Sequence, residues 1–300
     1  MPDSMEWLAA LTAGEKDPGK PRGHATREQQ PSTEGEGVSL ADFYAYMPGH
    51  NYIFAPSRET WPAASVNSRI PPITLLDEAG KPILRDGKTV KLSASTWLDQ
   101  NRPVEQMTWC PGLPMIVPDR LVSQGGWIER NGVRCFNLYR PPNIPRGDPT
   151  DVARWLDHVK CVFPVDAPHI IQWLGHRVRR PHEKINHALV LGGPQGIGKD
   201  TILEPVKRAV GPWNFQETSA EQVMGRFNGF LKSVILRTNE APDLGNVDRY
   251  KLYEHLKAYT AAPPDVLRCD EKNIREHAVF NVCGVVITTN HKTNGPPGPR

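Results

Sequence analysis

The sequence predicts an α/β fold over residues 183–300, a parallel sheet with helices on both faces. Three observations predict it. Short apolar runs at 187–191, 233–236 and 282–289 have the length of buried strands, and helical patterns separate them. A glycine-rich loop from Gly193 to Thr201 lies between the first run and a helical stretch over 201–210. The later two runs end in polar groups, Asn239-Glu240 and Thr288-Thr289-Asn290.

The elements follow in order along the chain. Residues 1–37 form a predicted disordered tail, because Gly, Pro, Glu, Gln, Ser and Thr dominate from about residue 12 and cannot bury enough apolar surface to offset ordering entropy. A short helix over Met5 to Leu11 is the one element expected there. Residues 38–148 read as an irregular β-rich module. Its prolines (Trp61-Pro62, Pro71-Pro72, Pro141-Pro142, Pro145) disfavour helices. Strands are expected at 51–54, 89–92, 126–130 and 133–139, the last two flanking a hairpin turn at Asn131-Gly132. Trp61, Trp97, Trp109 and Trp127 suit core packing better than stacking on unpaired bases.

Residues 149–182 form a short helical segment. Val152, Trp155, Leu156 and Val159, then Ile170, Ile171, Trp173, Leu174 and Val178, recur at helical spacing. Arg177, Arg179 and Arg180 close the second run, as a solvated, dipole-matched end or as a contact to phosphates. Pro205 interrupts the 201–210 helix pattern, and a further helix is expected over 247–259, packing Tyr250, Leu252, Tyr253 and Leu256.

Composition sets limits on function. A net charge of +3 neither demands nor excludes nucleic acid, so a binding surface has to be argued locally. Five cysteines without a CxxC pair suit a reducing cytosol and ordinary buried thiols. No apolar stretch approaches the ~20 residues that cross a bilayer, and the early Asp3 and Glu6 do not suit a secretory signal. The expected location is cytoplasmic, in a bacterial host or phage-infected cell, with no membrane partner.

The glycine loop carries the strongest chemistry. Gly193, Gly196 and Gly198 allow the turns that present backbone N–H groups to phosphate oxygens, and Pro194, Gln195 and Ile197 complete the cradle. Lys199 is placed to reach β- and γ-phosphates, and the helix start adds favourable dipole. Ser or Thr normally follows the Gly-Lys pair and ligates Mg²⁺, but here Asp200 stands in that place with Thr201 next. Asp200 binds the metal directly or through water, or Thr201 substitutes; the sequence leaves these open. Glu240 is the candidate general base and a further Mg²⁺ ligand, with Asn239 where Asp is more common. Asn290 is the candidate contact to the γ-phosphate.

Gly193–Thr201, Asn239-Glu240 and Thr288-Thr289-Asn290, in this order, resemble the motifs of superfamily 3 helicases, and the chain is most similar to the D5-like phage and prophage primase-helicase group. The resemblance covers about 38–295 and includes the phrases at 61–67, 94–99 and 183–187. It implies an AAA+-like P-loop NTPase core, ATP and Mg²⁺ as cofactors, a homo-oligomeric ring, and single-stranded or forked DNA as partner. It also implies a hairpin with a basic residue that reaches DNA in the ring pore, for which Lys272 is the candidate. No primase carboxylate motif is present, so priming is not implied. The family continues past its asparagine with a basic stretch, an arginine finger and a fifth strand, whereas this chain ends in Gly295-Pro296-Pro297-Gly298-Pro299-Arg300. The expectation is a truncated copy with an exposed P-loop strand and impaired turnover.

The leading expectation is therefore an ATP-dependent DNA helicase. A P-loop small-molecule kinase is the alternative, and stimulation of ATPase by DNA separates the two. A non-catalytic nucleotide- or DNA-binding remnant is the third, and turnover discriminates it.

Overall fold

The structure is a computed structural model that describes residues 37–145, 147–239, 246–272 and 274–290. The predicted tail up to residue 36 and Glu240 lie outside the described residues. The chain is mixed α/β, with several sheets of which one is wholly parallel. It divides into a small unit, whose described part is essentially 74–90, and a large unit over 38–73 and 91–300.

The large unit opens with strands β1 (Phe43–Tyr46), β2 (Asn51–Phe54) and β3 (Glu59–Pro62), followed by helix α1 (Ala63–Arg69). The two-residue strands β4 (Ile73–Thr74), β5 (Leu84–Arg85), β6 (Lys88–Thr89) and β7 (Lys91–Leu92) come next, so the strand expected at 89–92 is broken in two. The small unit is the β5–β6 hairpin with an Asp77 turn, whose carboxylate accepts from the amides of Ala79 and Lys81.

Helix α2 (Ala94–Asn101) precedes β8 (Pro103–Val104), β9 (Gln106–Thr108), β10 (Ile116–Ser123) and β11 (Gly126–Asn137). Both α1 and α2 correct the expectation that helices are unlikely across these prolines. Each occupies a proline-free window, and Ser93 caps α2 by accepting from the Thr96 amide at 3.2 Å. The Asn131-Gly132 hairpin is also corrected. The turn falls at Gln124-Gly125, between the paired Ser123 and Gly126, and β11 runs unbroken through 131–132. Gly132, at φ +83°, serves a bulge in which its N–H donates to Asp119 at 2.7 Å. A positive-φ glycine fits a bulge as well as a turn, so the dipeptide alone does not decide between them.

Sheets β3-β2-β1-β8 and β10-β11-β9 share one apolar core with the rest of the unit, from Ile53 and Trp109 through Trp173 to Leu191. Trp61 packs on Phe43 and Phe54, Trp97 lies against the α1–α2 core, Trp109 meets Tyr139 edge-on and Trp127 lies over Phe280. These are packing roles.

A 3₁₀ turn leads into α3 (Ala153–Val162), then α4 (Ala167–Arg179). Ile170, Trp173, Leu174 and Arg177 form the buried stripe of α4 at helical spacing. Arg177 is thus not the solvated end expected. It is fully buried and donates to the backbone carbonyls of Val234, Pro181, Glu183 and Val282. Burial, offset in part by Cys283 and Glu183, lowers its pKa to about 10.

The remaining elements are β12 (Leu189–Gly192), α5 (Lys199–Val210), β13 (Phe215–Ser219), α6 (Ala220–Met224), β14 (Ile235–Asn239), α7 (Asn246–Thr260), β15 (Val266–Glu271), β16 (Ile274–Phe280) and β17 (Gly284–Thr289). Strands β12, β17, β14 and β13 form the parallel sheet in that order. All six residues of β17 are buried, as a central strand requires. Its side chains alternate between faces. Val286 joins the core with Ile202, Leu203 and Trp173, whereas Val285 and Ile287 pack with Val223, Leu252 and Leu256. Helices therefore cover both faces. Among the described residues β12 has a strand on one side only, which leaves it a sheet edge.

Candidate functional site

The parallel registers bring three strand ends abreast. Gly192 of β12 pairs with Thr289, and Thr288 of the same β17 end pairs with Asn239 of β14. Side chains and backbone at this edge face one hollow of about 350 Å³. The glycine loop crosses it from β12 to the start of α5.

Local backbone demands explain the glycines. Gly193, Gly196 and Gly198 have φ of +147°, +82° and +100°, where a side chain is strained. At Gly198 a Cβ would also sit 2.5 Å from the His158 ring. His158 reaches from α3, its Nε2 lying 3.1 Å from the Gly198 carbonyl, while Trp155 donates to the Ile202 carbonyl at 2.9 Å. Helix α3 thus braces both the loop and the first turns of α5. Pro205 sits inside α5 without ending it.

Lys199 is 8% exposed. Its Nζ donates to the carbonyls of Gly193 at 2.6 Å and Pro194 at 3.0 Å, and to Asn290 Oδ1 at 3.3 Å. Two motifs separated by 91 residues thereby meet on one ammonium. All three acceptors are neutral, and among the described residues no carboxylate pairs with this charge.

Asp200 and Thr201 line the same hollow. The Asp200 side chain is 79% exposed and forms an ion pair with Arg237 Nη2, whereas the Arg237 side chain is only 13% exposed. Arg237 Nε also donates to Thr288 Oγ1 at 3.3 Å, and Thr288 in turn donates to Asn239 Oδ1. A chain of polar contacts therefore runs from the start of α5 across the ends of β14 and β17. Gln195 and Gly196 complete the wall. On the other flank of the loop, Phe163, Val165, Gly193, Pro194 and Ile197 border a hollow of about 560 Å³.

Of the expected residues, the structure gathers the loop, Lys199, Asp200, Thr201 and Asn290. Glu240, the expected base, follows Asn239 and lies outside the described residues. Lys272 is not at this hollow; it is exposed at the turn of the antiparallel β15–β16 hairpin. Sequence reasoning missed Arg237 and His158. The signal for Arg237 was available: a cation inside the apolar run Val234-Ile235-Leu236 and Thr238 needs a partner. His158 carried none, because its role depends on a glycine 40 residues away.

Among the described residues the lining charges are two cations, Lys199 and Arg237, against one carboxylate, Asp200. With loop amides at a helix start, this set suits an anion bearing several oxygens, such as a polyphosphate.

Residues 191–300 match the model of a family of unknown function, DUF5906. No curated protein matches the chain. Solved structures share its fold, among them two of one protein region. The apo structure of the NrS-1 C-terminal region (305–718) superposes at a TM-score of 0.59 and 18% identity, over 83% of this chain and 54% of that one. The A-form apo structure of the same region gives 0.54 and 19%, over 83% and 53%. The chain therefore spans about half the length of the structures it matches. No helix among the described residues is long and apolar enough to cross a membrane.

Proposed function

We propose that this chain is the P-loop ATPase core of a superfamily 3, D5-like DNA helicase of phage-type replication, working as a homo-oligomeric ring with ATP and Mg²⁺. The observation that carries the reading is the Lys199 ammonium. It is buried at the mouth of a hollow, among the described residues is held only by neutral oxygens, and is in contact with Asn290. A buried cation whose described neighbours are all neutral favours an anion in reach, and a triphosphate tail supplies one.

In this reading the loop amides of Gly193–Gly198 cradle the phosphates. Lys199 exchanges its carbonyl acceptors for β- and γ-phosphate oxygens, and Asn290 reports the γ-phosphate. Asp200 and Thr201 fit a Mg²⁺ site because both offer oxygens to the hollow, with Glu240 as the third candidate ligand. Bound Mg²⁺ would neutralise charge on the β- and γ-oxygens. Arg237 holds Asp200 in place and adds positive charge where the phosphates lie. Glu240 activates water. The hollow bordered by Phe163 and Val165 suits the base. Lys272, at the hairpin tip, contacts the DNA backbone.

The test is ATP turnover by the chain with Mg²⁺, with and without forked DNA, alone and within a version extended past residue 300. Stimulation by DNA supports the reading. Hydrolysis indifferent to DNA, or no hydrolysis and no unwinding in the extended version, sinks it.

A further inference from the structure

The β15–β16 hairpin holds a second cluster, made of residues that do not line the phosphate hollow. Cys269 and His277 are directly paired across the two strands, so their side chains leave the same face. Glu271, two residues after Cys269, rejoins that face across the bulge. One donor atom from each of the three lies within 4.8 Å of the others.

The burial of this trio is unusual for its chemistry. Cys269 is 0% and His277 7% exposed, and among the described residues neither ring nitrogen of His277 has a hydrogen-bond partner. The Arg275 backbone faces the ring, but no contact there meets hydrogen-bond geometry. Buried imidazole nitrogens are normally paired, so two unpaired ones call for an occupant. A cation already stands beside them. Lys232 Nζ lies 2.5 Å from Glu271 Oε2, and its charge acts on both Cys269 and His277. The Lys232 side chain is 21% exposed and lines a hollow of about 720 Å³, so the ammonium has a path into water.

We propose that Cys269, Glu271 and His277 form a site for a divalent metal of the zinc class, in which the Lys232 ammonium holds the place of the ion. Thiolate, imidazole and carboxylate are the ligands zinc takes, and three protein ligands leave its fourth position open to the Lys232 hollow. Donors around a tetrahedral zinc are about 3.3–3.8 Å apart, so the trio closes by roughly 1 Å through side-chain rotation. On binding, the Cys269 thiol loses its proton to solvent and the sulfur donates the freed pair to the metal. The His277 ring offers the metal the lone pair of a neutral imidazole nitrogen. Lys232 leaves as the ammonium. The metal would tie β15 to β16 just before the turn that carries Lys272.

The test needs no nucleotide, so its outcome is separate from that of the ATPase reading. The metal-free full chain is titrated with Zn²⁺ by equilibrium dialysis and with Co²⁺ by absorption. One Zn²⁺ per chain and an intense thiolate-to-cobalt band are expected. Cys269→Ser should abolish the band, and His277→Gln should weaken Zn²⁺ about 100-fold. Lys232→Met should bind Zn²⁺ about tenfold more tightly, a gain that misfolding cannot produce. The proposal is overturned if neither wild type nor Lys232→Met retains the ion. It is equally overturned if the bound Co²⁺ shows no thiolate band, or if Zn²⁺ affinity ignores His277→Gln.

Discussion

Replacing Arg177 with methionine should cost the fold about 3 kcal/mol. The side chain is fully buried and serves four backbone carbonyls. The Val234 carbonyl keeps a second donor, the Gly284 amide at 3.0 Å. The carbonyls of Pro181, Glu183 and Val282 lose the guanidinium. At roughly 1–3 kcal/mol for each buried acceptor left unpaired, the low end applies, because these contacts are only part-buried and water reaches them. Removing a buried charge returns some desolvation energy, which also holds the sum down. Methionine fills most of the volume, so little cavity energy is added. Thermal unfolding followed by circular dichroism should drop by about 10 °C for a unit of this size. Arg177→Lys should fall between the two, since an ammonium cannot reach all the carbonyls at once. A loss below about 1 kcal/mol for Arg177→Met would refute the claim that this arginine ties the end of α4 to the segments entering β14 and β17.

Two further outcomes follow from single positions. Gly198→Ala should weaken ATP binding about tenfold or more and cost about 1–2 kcal/mol of stability, since φ is +100° and the new Cβ would strike His158; Gly196→Ala, with open space around it, should keep the strain but not the clash. Calorimetric titration of both variants checks this, and equal affinities would contradict it. Burial holds the Lys184 pKa at about 8, below its ordinary 10.5. Between these values the unfolded chain keeps a proton that the folded chain has released, so this lysine makes stability rise with pH. Wild type should therefore gain stability relative to Lys184→Met from pH 8 to 10.5 in urea titrations, and a constant difference would contradict it.

The parallel sheet was legible because its central strands β14 and β17 are largely buried on both faces and read as continuous apolar runs, Val282–Thr289 above all. The glycine loop was legible because positive φ at Gly193, Gly196 and Gly198 leaves few alternatives to glycine. Strand β13, Phe-Gln-Glu-Thr-Ser, was not, because an edge strand carries polar residues and a weak pattern. Asn131-Gly132 misled for the opposite reason, a strong turn signal spent on a bulge. The Arg177 bonds, the His158 brace and the Cys269–His277 pairing are long-range. Each depends on a register or a packing angle that no local pattern encodes. Free cysteines without close spacing read as ordinary thiols until the hairpin sets one opposite a histidine.

The central claim is that the buried Lys199 ammonium awaits a phosphate anion. Its most direct test is the affinity of the chain for ATP with Mg²⁺, compared with Lys199→Ala by isothermal titration. Loss of the charged contacts should weaken binding about 100-fold, near 2.8 kcal/mol, while the melting temperature stays close to wild type. Equal affinity in the two proteins, or no binding by either, would contradict the account.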